Sequence, residues 1–181
     1  GGVVSDNTRW TSLLEGVPLN QKPSAPYKVN VYTGSSTSLQ VLITAPARDG
    51  GKPITSYVVE WDTQSTFSSS KYGRLVVNTT ELTSLYEDGP LVYVLDPSKS
   101  KLVSGTPYYV RVSALSSMGT GLPTQVATPI APRGKAGSPA AVALSTLVES
   151  PEPIDQVTAT WTTPATDGGS PISGYLVEWW T

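Results

Sequence analysis

Apolar and polar residues alternate with a period of two in the clearest segments of this chain. Leu39, Val41 and Ile43 occupy every second position of one segment, and Val110 and Val112 do the same in another. Such alternation is typical of a β-strand that is buried on one face only. Similar or β-rich runs give about seven predicted strands, near residues 27–33, 39–44, 57–61, 74–79, 91–95, 108–114 and 125–128. Seven short strands separated by turn residues within ~110 residues indicate an all-β, antiparallel β-sandwich.

A gapless internal repeat divides the chain. Residues 44–61 read TAPARDGGKPITSYVVEW and residues 162–179 read TTPATDGGSPISGYLVEW, with 12 of 18 positions identical. Pro53 and Pro171 lie 118 residues apart, which sets the spacing of the repeat. Because proline and glycine interrupt a strand, each copy is predicted to run strand, loop, strand. The chain is therefore expected to hold one whole unit and the beginning of another.

The repeated residues resemble those of a fibronectin type III domain. Ser24–Pro26 match the entry to the first strand of that family, and the Asp-Gly-Gly-x-Pro-Ile loop leads into Tyr-x-Val-Glu-Trp as it does there. The pattern Leu-x-x-Gly-Thr-x-Tyr, which precedes the sixth strand in the family, occupies residues 102–108. The resemblance implies an immunoglobulin-like antiparallel sandwich of the fibronectin type III kind, repeated in tandem. It implies no single function, because this fold hosts many unrelated roles.

The two copies and their flanks give the expected domain organisation. Residues 1–22 are interpreted as the end of a preceding domain or a linker, and residues 23–132 as a complete domain. Residues 133–138 are predicted to form a linker, and residues 139–181 the first three strands of a second domain. We interpret the chain as a window on a longer array. Alternatively, chains complete one another by strand complementation, which would build a filament.

The resemblance also implies which aromatic residues fill the core. Trp161 matches the second-strand tryptophan of the family, whereas Ile43 stands at that position in the first copy, where Trp61 is expected to compensate. Tyr108 matches the tyrosine corner, in which the ring packs inward and the hydroxyl bonds a backbone group upstream. Register places aromatic side chains on the inward face of the third strand of each copy. These are Tyr57, Trp61, Tyr175 and Trp179.

Composition narrows the classes of function. The 181 residues include no histidine and no cysteine, so they supply no disulfide, thiolate nucleophile, zinc finger, haem ligand or Ser-His-Asp triad. With 12 Lys+Arg against 14 Asp+Glu, the net charge of −2 gives no reason to expect a nucleic acid partner. No apolar run approaches the ~20 residues that a membrane-spanning helix needs. We therefore predict no enzyme activity, catalytic residue, metal or cofactor.

Three motifs allow both a functional and a structural interpretation. The Asp-Gly-Gly stretches at 49–51 and 167–169 offer calcium too few ligands, so a strand-connecting turn is favoured. Residues 134–138 suggest a phosphate loop but lack its residue order and precede no predicted helix, so a linker is favoured. Two acidic groups allow acid–base chemistry, although acids among Ser, Thr and Pro are usually solvated. They are Glu81, Glu87 and Asp88, and Glu149, Glu152 and Asp155.

Residues 63–90, between the third predicted strand and Leu91, are rich in Ser and Thr and are interpreted as an insertion that includes the predicted strand at 74–79. It is longer than the family resemblance implies, and such loops are where individual function is expected. Asn78 begins the only N-x-[ST] sequon of the chain and is therefore a candidate N-glycosylation site. Trp180, which points outward by register, is either an interface or sugar-binding residue or one that further strands or a neighbouring domain cover. The second interpretation of Trp180 is favoured.

These features predict a non-catalytic structural scaffold of tandem domains. We expect it in an extracellular, cell-surface or filamentous assembly. Its expected partners are neighbouring domains of the same chain and, in a filament, other copies of itself. Two alternatives stay open: a protein- or glycan-binding adhesion module, and an accessory domain of a larger secreted carbohydrate-active enzyme.

Overall fold

A computed structural model describes residues 20–87, 89–146 and 157–180 of the chain. These ranges contain eleven strands, one short α-helix and one 3-10 turn. The strands are β1 (Pro26–Ser35), β2 (Ser38–Pro46), β3 (Ile54–Asp62), β4 (Gly73–Asn78), β5 (Thr83–Ser84), β6 (Leu91–Leu95), β7 (Tyr109–Ser116), β8 (Gly119–Thr120), β9 (Thr124–Gln125), β10 (Ala140–Thr146) and β11 (Val157–Thr162). The helix α1 is Pro97–Ser100, and the 3-10 turn is Thr79–Glu81. The predicted all-β class is thereby confirmed.

Strands β1 to β9 form two antiparallel sheets. One sheet has the order β1-β2-β6-β5, and the other has the order β4-β3-β7-β8, with β9 also paired to β7. A single cluster of buried apolar side chains includes residues from both sheets. The first copy of the repeat is therefore a closed β-sandwich, in agreement with the strand pattern of the sequence.

The period-two alternation corresponds to burial in the central strands. Leu39, Val41 and Ile43 of β2 are fully buried, as are Val110 and Val112 of β7. Burying a side chain of this size contributes roughly 1.5–3 kcal/mol relative to leaving it in water. The inward faces of β2 and β7 therefore supply a large part of the stabilisation of the sandwich.

Aromatic side chains complete the core of the first unit. Tyr57 and Trp61 of β3 are 2% and 4% exposed and belong to the same buried cluster as Ile43. Tyr108 is also buried, and its hydroxyl accepts a hydrogen bond from the backbone N–H of Val103 at 3.1 Å. This is the geometry that the family resemblance implied for a tyrosine corner, and it ties the turn before β7 to the core.

The second copy differs from its predicted form. Its first two strands, β10 and β11, pair with each other, but residues 171–180 form no strand. The burial predicted for Trp179 is not observed, since this side chain is 81% exposed, and Trp161 is only half-buried. In the first copy β3 is held between β4 and β7. No such flanking strands lie beside Trp179 among the described residues, which accounts for its exposure.

Two smaller differences have local causes. Helix α1 was not predicted, because four residues are too few to show a helical period. Its start is nevertheless marked in the sequence: Asp96 accepts a hydrogen bond from Ser98 N–H at 2.9 Å, and Pro97 is the first helical residue. The last predicted strand, near 125–128, is reduced to β9 at Thr124–Gln125. No helix among the described residues is long and apolar enough to cross a membrane.

Candidate functional site

The first part of the insertion folds back onto the end of β3 through one buried carboxylate. Asp62, the last residue of β3, is fully buried. Its carboxylate accepts hydrogen bonds from the backbone N–H groups of Thr63 at 2.6 Å and Ser69 at 2.9 Å, and from the Ser69 hydroxyl. One side chain therefore closes the loop between residues 63 and 69.

Asp62 stays ionised in this position. Burial alone would raise the pKa of its carboxyl. Hydrogen bonds outweigh that effect and hold the pKa below its ordinary value; they come from the Ser69 hydroxyl and from the backbone of Ser69, Thr63 and Gln64. A carboxylate that is satisfied by fixed donors is held as an anion and is a poor proton donor. We therefore interpret Asp62 as a structural anchor.

A second cluster covers the outer face of the same sheet. Glu60 of β3 and Arg111 of β7 are cross-strand partners and form a two-point ion pair, with Nε–Oε2 and Nη2–Oε1 distances of 2.8 and 3.0 Å. The Tyr72 hydroxyl also donates to Glu60, and the Arg111 guanidinium lies 4.1 Å from the centre of the Phe67 ring. Phe67 is buried although it belongs to a polar loop. The insertion is thus packed against the sheet by charge, aromatic and hydrogen-bond contacts.

The pKa of Glu60 is also lowered. Burial acts to raise the pKa, but the hydrogen bonds from Arg111 and Tyr72, together with the positive charges of Arg111 and Arg74, outweigh it. The Glu60–Arg111 pair is partly shielded from water, with side chains 12% and 29% exposed. Such a pair contributes more to stability than a fully exposed one. The Glu60 carboxylate, while it is ionised, therefore helps to hold the insertion in one conformation.

A basic cleft lies beside this insertion. Its volume is about 380 Å³, and Trp61 forms part of its wall. Four cationic side chains line the cleft: Lys71, Arg74, Lys99 and Lys101. Lys99 pairs with Glu81 at 3.4 Å. The other three have no carboxylate within ion-pair distance among the described residues. The cleft is suited to an acidic group on another molecule.

The predicted acidic groups do not assemble into a catalytic pair in the part of the chain that the structure describes. Glu81, the last residue of the 3-10 turn, accepts a hydrogen bond from Asn78 N–H and pairs with Lys99, and Glu87 is exposed. The described residues contain no group of three or more acidic, His or Cys side chains that could hold a metal ion. Asp88 and the second group, Glu149, Glu152 and Asp155, lie outside the described residues.

Asn78, the candidate glycosylation site, is exposed at the start of the 3-10 turn. Its side-chain nitrogen donates to Glu81 at 3.3 Å, and its side-chain oxygen accepts from Ser56 at 3.1 Å. Its nitrogen would still keep one N–H after attachment of a sugar. The geometry is compatible with glycosylation, which stays a prediction.

The two Asp-Gly-Gly loops use their carboxylates locally. Asp49 accepts a hydrogen bond from Gly51 N–H, and Asp167 accepts one from Gly169 N–H, each at 2.8 Å. Each carboxylate therefore stabilises its own turn. This is the connecting turn that the sequence favoured over a calcium loop.

An apolar surface is left open on the second copy. Trp180 is 89% exposed, and the ring centres of Trp161 and Tyr175 lie 5.3 Å apart beside the exposed Val142 and Leu144. Trp161, Tyr175, Val142 and Leu144 contribute to the wall of a cleft of about 310 Å³, which Trp180 does not line. The corresponding surface of the first copy is covered by its own second sheet.

The fold and the surface define the class of protein: a β-sandwich domain whose insertion is packed against one sheet and borders a basic cleft. The chain belongs to the fibronectin type III domain family, whose model matches residues 24–130. That range lies within the complete unit expected from the repeat.

Curated relatives resemble nearly the whole chain. A titin homolog of Caenorhabditis elegans is 35% identical over 166 residues, which is 89% of this chain and 1% of that protein. The cardiac-type myosin-binding protein C of Mus musculus is 26% identical over 177 residues, or 98% of this chain and 12% of that protein. Among solved structures, domains A168–A170 of titin share 27% identity over 61% of this chain and 32% of theirs, with a TM-score of 0.45. This chain thus spans only a small part of these relatives.

Proposed function

We propose that this chain is a non-catalytic structural module of a multidomain scaffold that associates with protein filaments. The observation that carries the proposal is the repeat itself, in which one closed sandwich is followed by a second copy of the loop with a two-stranded sheet. The similarity to a titin homolog and to myosin-binding protein C supports it. Neighbouring domains of the same chain are its nearest proposed partners.

The basic cleft is the proposed contact with the filament. Lys71 and Lys101 are exposed, and neither has an ion-pair partner among the described residues. Trp61 and Tyr108 also line the cleft but are almost fully buried, so the lysines are the groups that an acidic side chain would meet. Because relatives carry the name myosin-binding protein, a filament of the myosin type is the partner to test first.

Charge reversal in the cleft should weaken filament binding. The assay is co-sedimentation with purified myosin filaments, in which we expect the 181-residue chain to enter the pellet saturably. The double variant Lys71→Glu/Lys101→Glu is expected to bind about tenfold more weakly, because each exposed charge contact contributes up to ~1 kcal/mol. The matched control is Lys28→Glu/Lys52→Glu, which makes the same change of charge at exposed positions outside the cleft. Equal weakening by both pairs, or no binding by the parent chain, would contradict this contact.

A second candidate is an extracellular or cell-surface adhesion module. The exposed sequon at Asn78 favours it, because sugar attached to such a loop is typical of secreted β-sandwich proteins. The open Trp180 and the cleft beside Trp161 would then be sites for a protein or glycan. An accessory role beside a secreted carbohydrate-active enzyme belongs to the same class. The adhesion module and the accessory role both place the protein outside the cell. An intracellular filament as the partner would distinguish the scaffold proposal from these two roles.

A further inference from the structure

The segment before β1 is held by the Asp-Gly-Gly loop that follows β2. Gln21 N–H donates to the carbonyl of Gly50 at 2.8 Å, and Ser24 N–H donates to the carbonyl of Arg48 at 3.0 Å. Both bonds join backbone atoms. These two bonds form a backbone clamp, to which the Ser24 hydroxyl adds hydrogen bonds with the N–H and the carbonyl of Arg48 at 3.2 and 3.3 Å.

The second copy forms the same clamp. Gly134 N–H donates to the carbonyl of Gly168 at 2.7 Å, and Gly137 N–H donates to the carbonyl of Thr166 at 2.9 Å. The acceptors are 118 residues from their counterparts in the first copy, and the donors are again three residues apart. The clamp is thus repeated although the linker sequences differ.

The first glycine of each loop leaves no space for a side chain on the linker side. A Cβ atom at Gly50 would lie 2.1 Å from the carbonyl oxygen of Gln21, and one at Gly168 would lie 2.4 Å from that of Gly134. Both glycines also have positive φ, 78° and 71°. Positive φ alone would admit asparagine, but close approach of the linker backbone excludes any side chain.

The second glycine of the later loop meets the preceding unit. A Cβ atom at Gly169 would lie 2.7 Å from the backbone nitrogen of Gly105 and 3.0 Å from the carbonyl oxygen of Pro132. Gly105 has a φ of 73°, and a Cβ there would be 3.1 Å from the carbonyl oxygen of Gly169. The Ser104 hydroxyl beside them is buried and has no hydrogen-bond partner among the described residues. The two units therefore touch backbone to backbone at this point.

We propose that the Asp-Gly-Gly loop is the docking surface between successive units. It clamps its own linker and abuts the turn at Ser104–Gly105 of the unit before it, so the angle between units is set by backbone contacts. By the same repeat, the exposed loop at 49–51 is a docking surface for the equivalent turn of another such unit. A loop that served only as a local turn would need its glycines for positive φ and would leave them free of the neighbouring unit. This inference rests on the proposed scaffold function and adds a stiff joint to it.

Gly105→Asn tests the joint without disturbing the loop itself. Asparagine tolerates the positive φ of Gly105, and the three atoms nearest to its Cβ would all belong to Gly169 of the following unit. Because the chain has no cysteine, Lys28→Cys and Thr158→Cys give two unique spin labels at exposed positions, one on each unit. Gly174→Asn is the control, since a Cβ there has no atom within 4 Å.

Electron–electron double resonance then measures the distribution of label distances in the 181-residue chain. We expect a single narrow peak for the parent and for Gly174→Asn, and loss of that peak for Gly105→Asn, with the first unit still folded by near-ultraviolet circular dichroism. A broad distribution in the parent, or an unchanged narrow peak in Gly105→Asn, would overturn the joint. Filament binding through the basic cleft is measured separately, so either proposal can fail while the other stands.

Discussion

Replacing Trp61 with alanine should remove about 3–5 kcal/mol from the free energy of unfolding of the first unit, as expected for the loss of a buried tryptophan. The side chain is 4% exposed and belongs to the cluster between the two sheets. It lies flat on β4, where a Cβ at Gly73 would come within 2.2 Å of the indole. The space it occupies is therefore bounded by backbone, which limits how far neighbouring atoms can relax into the cavity.

Urea unfolding followed by near-ultraviolet circular dichroism measures this change. Trp180→Ala is the matched control, because it deletes the same side chain at a site that is 89% exposed, and we expect it to alter the free energy of unfolding by less than ~0.5 kcal/mol. If Trp61→Ala cost no more than the control, Trp61 would not be the residue that compensates for Ile43 at the centre of the core.

Asp62→Ala should cost about 2–3 kcal/mol in the free energy of unfolding. The substitution leaves the N–H groups of Thr63 and Ser69 without their acceptor in a partly buried site, and bonds to a charged group are among the stronger ones. Asp49→Ala is the control, because its exposed carboxylate accepts one backbone bond, from Gly51. If both variants lost a similar free energy of unfolding in urea, the buried Asp62 carboxylate would stabilise the fold no more than an exposed one.

The same carboxylate, with Glu60, predicts how stability depends on pH. Both groups have pKa values below their ordinary values of 3.8 and 4.5, so each binds its proton less readily in the folded state. Their contribution is complete above the ordinary values and is lost as the pH falls below about 4.5 and through the lowered values. We expect Asp62→Asn/Glu60→Gln to be less stable at pH 7 and to show a flatter decline in acid. An unchanged slope would contradict the assignment.

The core was predictable from the sequence because it is built from strong alternation. In β2 and β7, positions such as Val41 and Val112 follow a period of two, and each faces the opposite sheet. Tyr108 was predictable through the family resemblance, which places a hydroxyl-to-backbone bond before the sixth strand. Local pattern and tertiary packing agree at these positions.

The insertion cluster was missed because it is assembled from distant residues. Glu60 and Arg111 are 51 positions apart, and only the β3–β7 register brings them together. One signal was present: Phe67 is the only phenylalanine of the chain and stands in a polar segment. A lone large apolar residue in such a loop indicates that the loop packs against something.

For Trp179, the burial predicted from the sequence was wrong. Its register with Trp61 follows from the repeat, but burial also requires the strands that flank β3 in the first copy. Most bonds of the linker clamp join backbone atoms, so its glycines and Ser24 were the sequence signals that it offered. Backbone contacts of that kind form in the folded chain and leave little trace in the pattern of residues.

The location of the protein tests the scaffold proposal most directly. An antibody raised against residues 20–132 can be visualised by immunogold electron microscopy in cells that make the protein. We expect gold particles at regular intervals along filaments, because a filament scaffold repeats its modules in series. Gold confined to the cell surface or the extracellular space, with no relation to filaments, would contradict it and favour the adhesion module.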